Sequence, residues 1–491
     1  MTADRRPRLT GTTHAPRVFD ETKQDRFHDE CGVVGVFGHE EASNLAYLSL
    51  YALQHRGQES AGIVSAKDNF LISHRGLGLV ADVFNEDIIR KLEGSAAIGH
   101  NRYSTSGGTL LKNTQPFVVE YGGGLAVAHN GNLVNAQMLR ERLEESGSIF
   151  QSGVDSEVII HLIASSKGKR TIDRVIDALS EVRGAYSLVF LTPNELVAAR
   201  DPHGLRPLVL GRIKEAVIVA SETCALDLIG ATYEREIEPG EVLHVSNEGM
   251  HSYRPFPATA RTSCIFEYVY FARPDSRVYG RNVYEVRKEL GRQLAREHPA
   301  PADIVIPVPD SGLPAALGYS EQAGLPFEMG LVRNHYVGRT FIEPRDAIRH
   351  FGVKVKLNAQ PEVLAGRRVV VVDDSIVRGT TSRKIVQMLR AAGAREVHLR
   401  ISSPPTIGSC FYGIDTPTTE ELIASSHSVE EIRRFVTADS LGFLSERGLY
   451  SFLKGRDQNG FCAACFTGRY PVPVEDQGRT HQLVLFEAED R

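Results

Sequence analysis

Residues 368–382 read RVVVVDDSIVRGTTS, and no other stretch constrains the fold as much. Four consecutive valines show no alternation, so both faces of the strand are buried, as in a parallel sheet covered by helices. A parallel neighbour requires a crossover connection, which calls for βαβ units. The strand ends in Asp373 and Asp374, at the carboxyl edge where open α/β sheets bind ligands. Next comes a loop with Gly379 and the hydroxyls of Ser375, Thr380, Thr381 and Ser382, and the pattern predicts a helix over 383–392 that stops at Gly393. Amides at such a helix start, with a glycine for close approach, cradle a phosphate. Paired carboxylates repel phosphate. They suit ribose hydroxyls, a Mg2+ ion or positive charge developing on a sugar ring. Phosphate at one end and a diol at the other describe a ribose 5-phosphate. The plainer alternative is a strand-end turn whose Asp and Ser residues cap a helix.

The surrounding pattern extends the alternation. A helix is expected over 286–298, and strands over 303–308 and 397–402, giving an α/β domain. Upstream, short strand-like runs dominate: CGVVGVFG at 31–38, then 70–73, 125–128, 187–191, 208–210 and 217–220. Two helices, 43–54 and 135–146, are expected to interrupt them, which makes a sheet-rich α+β domain. The run YRPFPATARTS at 253–263 reads as a linker. The chain therefore divides into a leader at 1–30, a first domain at 31–262, a second at 263–470 and a tail at 471–491. Two or three domains suit 491 residues.

Charge and cysteine usage exclude several classes. The formal net charge of −5 argues against a nucleic-acid binder. Residues 1–30 hold six Lys/Arg and six Asp/Glu without the apolar stretch of a signal peptide. The apolar runs 45–53 and 369–372 are far shorter than the ~18 residues of a membrane span. A cytoplasmic location is expected, where thiols stay reduced and six Cys do not imply disulfides.

The 368–382 stretch resembles the binding motif of type I phosphoribosyltransferases, which use 5-phosphoribosyl 1-diphosphate (PRPP). The resemblance implies that Asp373 and Asp374 contact the ribose, and that Ser375, Arg378, Gly379, Thr380, Thr381 and Ser382 complete the PRPP site. It implies Mg2+ at Asp373, Asp374 and Ser311, the last within PVPDSGLPAALG at 307–318, which resembles the family's pyrophosphate loop. The run RTFIE at 339–343 resembles its flap, with Arg339 on PRPP.

The first domain resembles the N-terminal-nucleophile glutamine amidotransferases, which have an αββα sandwich. The matches are CGVVG from Cys31, HRGQ from His55 with AGI from Ala61, RYST from Arg102, HNGN from His129, and DSE from Asp155. Removal of the leader after Glu30 would free the α-amine of Cys31 as general base for its own thiol. The family's oxyanion donors would be the Asn130 side chain and the Gly131 amide. Arg102 would hold the glutamine α-carboxylate and Asp155 its ammonium. Taken alone, Cys31 reads as a small buried hydrophobe, Arg102 and Asp155 as an ion pair, and Asn130-Gly131 as a hairpin turn.

Cys462 and Cys465 form a lone C-x-x-C, and its spacing leaves structural zinc, an iron–sulfur cluster and buried thiols all open. The order of the two halves resembles the amidophosphoribosyltransferase family, in its branch with a cleaved leader and a [4Fe–4S] cluster. That resemblance assigns Cys264, Cys410, Cys462 and Cys465 as cluster ligands and leaves Cys224 as a bystander. It further implies glutamine and PRPP as substrates, a first committed step of purine synthesis, inhibition by purine nucleotides and a homotetramer. The alternatives are another glutamine amidotransferase with a sugar-isomerase half, or a PRPP-sensing regulator. The G-x-G-x-x-A run at 76–81 opens no clear βαβ unit and is set aside as a dinucleotide site.

Overall fold

The computed structural model describes residues 31–103, 110–335, 357–454 and 460–474. The expected leader, Arg339 with its flap run, and most of the expected tail lie outside the described residues.

The first domain stacks two antiparallel sheets. A seven-stranded sheet runs in the order Thr232–Glu236, Val209–Ile213, Ala216–Ala220, Gly32–Phe37, Ala96–Arg102, Ser60–Lys67, Phe70–Leu77. A six-stranded sheet runs Gly249–Tyr253, Val242–Ser246, Glu195–Arg200, Gly184–Leu191, Leu125–Leu133, Phe117–Val119. Their facing sides, with Val33, Val64, Ile98, Ala128 and Val189, form one dry core. The helix Ala42–Ala52 covers the outer face of the first sheet, through Ala46 and Leu50. Ala136–Glu145, Ser156–Ser165 and Thr171–Glu181 cover the second. The result is the αββα sandwich.

Two of those helices were not expected from the sequence. Ser156–Ser165 (SEVIIHLIAS) is mostly apolar and buried along most of its length, and its polar stripe is narrow: Glu157, His161 and Ser165. Thr171–Glu181 does carry a helical stripe, Ile172, Val175, Ala178 and Leu179, which is all buried. The 76–81 run falls at the end of an antiparallel edge strand, outside any βαβ unit.

Residues 254–262 join the domains in neither helix nor strand. The second domain holds a parallel sheet in the order Ile304–Pro307, Arg368–Asp373, Glu396–Ile401, Ser440–Phe443. Val369 and Val371 face one core, while Val370 and Val372 face another, which accounts for the unbroken valine run. The helix after the acidic pair starts at Thr380, three residues earlier than expected, with Gly379 at its cap in the left-handed region (φ 79°). Thr380, Thr381 and Ser382 thus occupy the first turn, where backbone N–H groups lack intrahelical partners.

Candidate functional sites

Cys31 precedes the strand Gly32–Phe37, which lies beside Ala96–Arg102 with Gly32 opposite Asn101. This pairing brings Cys31 next to Arg102 and Tyr103. The Cys31 thiol is buried and donates to the Tyr103 carbonyl at 3.7 Å. Arg102 is also buried. The two sheets are stitched together here by His100, whose Nε2 donates to the His129 carbonyl at 3.0 Å. A carbonyl only accepts, so Nε2 carries the proton. Burial pushes the imidazole down to about 3, keeping it neutral.

Asn130 and Gly131 follow His129 within the strand Leu125–Leu133, not in a hairpin turn. The Asn130 side chain is wholly buried, and neither its Nδ2 nor its Oδ1 meets a protein partner. Leaving a buried amide unsatisfied costs about 1–3 kcal/mol, so such a group points to a ligand. Gly131 takes φ 145°, and a Cβ there would lie 2.1 Å from the Ala185 carbonyl oxygen, so only glycine fits. Asp155 sits at the start of the helix Ser156–Ser165. Its carboxylate accepts from the Leu133 amide at 2.8 Å and from the Ser156 hydroxyl at 3.2 Å. It is thereby tied to the strand that carries Asn130.

In the second domain, Asp373 and Asp374 are buried at the carboxyl end of Arg368–Asp373. The Asp373 carboxylate accepts from the Asp374 amide at 2.9 Å, and that of Asp374 from the Ser375 hydroxyl at 2.6 Å. Thr380 and Ser382 are buried, and Arg378 pairs with Glu421 at 3.3 Å. The 307–318 run leaves the strand Ile304–Pro307 through a loop at 308–312 and enters the helix Leu313–Ala323, and that loop abuts this edge: the Val308 amide donates to the Val372 carbonyl at 2.8 Å. A Cβ on Gly312 would lie 2.4 Å from the same oxygen. Ser311 is therefore on the loop facing the acidic pair.

Cys264, Cys410, Cys462 and Cys465 line one small, almost wholly apolar cavity with Leu205, Arg206 and Tyr412. Cys264 and Cys462 face each other in a short parallel pair, Ser263–Cys264 with Phe461–Cys462. Burial holds Cys462 up at about 12 and pushes Cys465 well above the ordinary thiol value, with neighbouring cysteines adding to the rise. Among the described residues, no three His, Cys, Asp or Glu side chains converge as on a single ion. Cys224 lies apart, buried behind the first sheet.

Sequence reasoning missed the contact between the domains. Arg56 pairs with Glu222 and Glu267, and Glu267 also with Arg206 at 3.4 Å, all four fully buried. The Arg56 guanidinium and the neighbouring His55 hold the Glu222 carboxyl far below its usual range against the opposing effect of burial. Arg56 lies in the HRGQ run, but its partners are 166 and 211 residues away, beyond any local pattern.

The two sites define a glutamine amidotransferase joined to a phosphoribosyltransferase. Comparison with known proteins agrees: residues 100–228 match the glutamine amidotransferase domain model and 280–402 the phosphoribosyl transferase domain model. The amidophosphoribosyltransferase of Bacillus subtilis (strain 168) is 54% identical over 452 residues, covering 91% of this chain and 95% of that protein. Amidophosphoribosyltransferase 1, chloroplastic, of Arabidopsis thaliana is 57% identical, covering 94% of this chain and 82% of that protein. A solved structure of the B. subtilis glutamine PRPP amidotransferase complexed with ADP and GMP superimposes with a TM-score of 0.87 at 53% identity. It covers 91% of this chain and 98% of that one. The chain belongs to the amidophosphoribosyltransferase family, and its activity is that of a pentosyltransferase with a glutamine amidotransferase domain. No helix among the described residues is long and apolar enough to cross a membrane.

Proposed function

We propose that this chain converts PRPP, glutamine and water to 5-phosphoribosylamine, glutamate and pyrophosphate, at the residues described above. The observation that carries the reading is the buried Asn130 amide without a protein partner, on the strand stitched through His100 to that of Arg102, which pairs with the strand after Cys31. After removal of residues 1–30, the Cys31 amine takes the thiol proton and the sulfur attacks the glutamine side-chain amide. The Asn130 Nδ2 and the Gly131 N–H receive the oxyanion. Arg102 and Asp155 hold the α-carboxylate and α-ammonium. Ammonia leaves, and water hydrolyses the thioester to glutamate.

In the second domain the first turn at Thr380–Ser382 receives the 5-phosphate, with Arg378; Arg339, outside the described residues, contacts PRPP. Asp373 and Asp374 hold the ribose hydroxyls and oppose positive charge developing at C1. Ammonia attacks C1 as pyrophosphate departs. Mg2+ on Asp373, Asp374 and Ser311 would neutralise the pyrophosphate. One or two carboxylates plus substrate phosphates are its usual donors, and this set fits. Two sites in one chain favour internal passage of ammonia, shielded from protonation.

Three buried thiols and the half-buried Cys410 around one apolar cavity form a soft donor set that suits a thiophilic metal group. A [4Fe–4S] cluster would be held there by Cys264, Cys410, Cys462 and Cys465 as thiolates. It would be a structural tie with no step in the reaction. A homotetramer, inhibition by purine nucleotides and a cytoplasmic location complete the reading. The experiment is reciprocal. Cys31→Ala removes glutamine-dependent synthesis and keeps the ammonia-dependent reaction, whereas Asp373→Asn impairs both syntheses and spares glutamine hydrolysis. Joint loss of every activity in either variant refutes the assignment. The visible spectrum and iron content test the cluster, and N-terminal sequencing tests for a start at Cys31.

A further inference from the structure

One segment of the second domain reaches into the oxyanion strand of the first. The Phe411 carbonyl accepts from the Asn132 side chain at 3.0 Å, and the Tyr412 carbonyl accepts from Arg206 Nε at 2.8 Å. Gly413 takes φ 103°, and a Cβ there would stand 2.8 Å from both the Cα and the carbonyl carbon of Gly131. Gly131 is therefore gripped from two sides, by Ala185 of its own domain and by Gly413 of the other. The same segment begins at Cys410. The Tyr412 amide donates to the Cys410 sulfur at 3.3 Å. Tyr412, Cys462, Ala464 and Val472 share a buried cluster with Ala185 and Leu205 of the first domain. The four-cysteine cavity and the oxyanion strand are thus adjoining parts of one packed unit.

We propose that Gly413 is a positioning residue for the Gly131 oxyanion donor, clamped by the four-cysteine site through Cys410. An oxyanion donor works only when aimed at the place where charge develops, so a displacement of a few tenths of an ångström there lowers turnover more than binding. The metal-dependent half of the proposal rests on the iron–sulfur reading; the Gly413–Gly131 contact does not.

The test uses the full-length protein as purified. Gly413→Ala is expected to lower kcat for glutamine hydrolysis at least about tenfold, with KM within about threefold and ammonia-dependent synthesis within about twofold. Asn132→Ala, which removes only the link to Phe411, is expected to lower kcat about three- to tenfold and serves if the glycine variant does not fold. An unchanged kcat in the variants, or an equal loss of the ammonia-dependent reaction, overturns the positioning role. Amide hydrogen exchange over residues 126–134 is then measured before and after oxidative removal of iron. Faster exchange at 130–132 supports the clamp, and unchanged exchange refutes it. Active protein that contains no iron overturns the cluster reading, while the kinetic comparison still decides the role of Gly413.

Discussion

Replacing Asn130 with alanine separates catalysis from stability in a way that few substitutions in a buried strand can. The side chain is completely buried, and both polar atoms lack a protein partner. Losing one oxyanion donor costs about 10²–10³ in kcat, or about 2.7–4 kcal/mol of transition-state stabilisation. In the ligand-free fold, the unsatisfied amide is itself a burden of about 1–3 kcal/mol, which the substitution relieves. A small loss of packing opposes that gain, so the melting temperature is expected to hold or rise. Asn101→Ala is the control: its Nδ2 donates to the Leu53 carbonyl at 2.7 Å, so its loss destabilises without entering the oxyanion site. The assay is glutamine hydrolysis at saturating PRPP, with ammonia-dependent synthesis and thermal unfolding measured on the same preparations. A fall in kcat with KM near the original, ammonia use intact and stability retained is the expected result. The reasoning fails if Asn130→Ala melts more than about 4 °C lower, equivalent to over about 1 kcal/mol of lost stability. It fails equally if only KM rises.

Glu267→Gln leaves the buried Arg56 and Arg206 short of a countercharge and is expected to destabilise by about 3–5 kcal/mol in denaturant unfolding; a loss below about 1 kcal/mol would show a solvated network. Gly312→Ala drives a Cβ into the Val372 carbonyl and is expected to cut ammonia-dependent synthesis at least about tenfold while glutaminase activity persists. His100 titrates near 3 when folded against about 6.5 when unfolded, so the unfolded chain binds the proton first and stability falls as pH drops from 6.5 towards 3. His100→Gln should flatten the pH dependence of the urea midpoint across that window; an unaltered slope would remove His100 as its source.

Much of the chemistry was written locally. The valine run requires a buried strand, and the residues after it supply acids, a glycine and hydroxyls within a single turn, so the phosphoribosyl site reads from contiguous sequence. The Cys31, Arg102, Asn130-Gly131 and Asp155 motifs were recognisable as a set, but their meeting was not. Antiparallel pairing sets Gly32 opposite Asn101, and a helix start ties Asp155 to Leu133. Asn130-Gly131 shows the limit most clearly: the dipeptide favours a turn, yet the sheet holds it extended against Ala185. The start of the phosphate helix was placed at Arg383 and falls at Thr380, because Gly379 adopts a left-handed cap that lets the threonines enter the first turn.

Sequence by itself singled out the candidate reacting groups and the order of the two domains, because strand burial, turn chemistry and motif spacing act over a few residues. Only the tertiary structure decided how the domains meet. The gathering of four distant cysteines, the burial of Arg56 between Glu222 and Glu267, and the seating of Gly413 on Gly131 depend on packing across about 50 to 280 residues. No local propensity encodes those contacts, since their energy exists only when both surfaces have left water together.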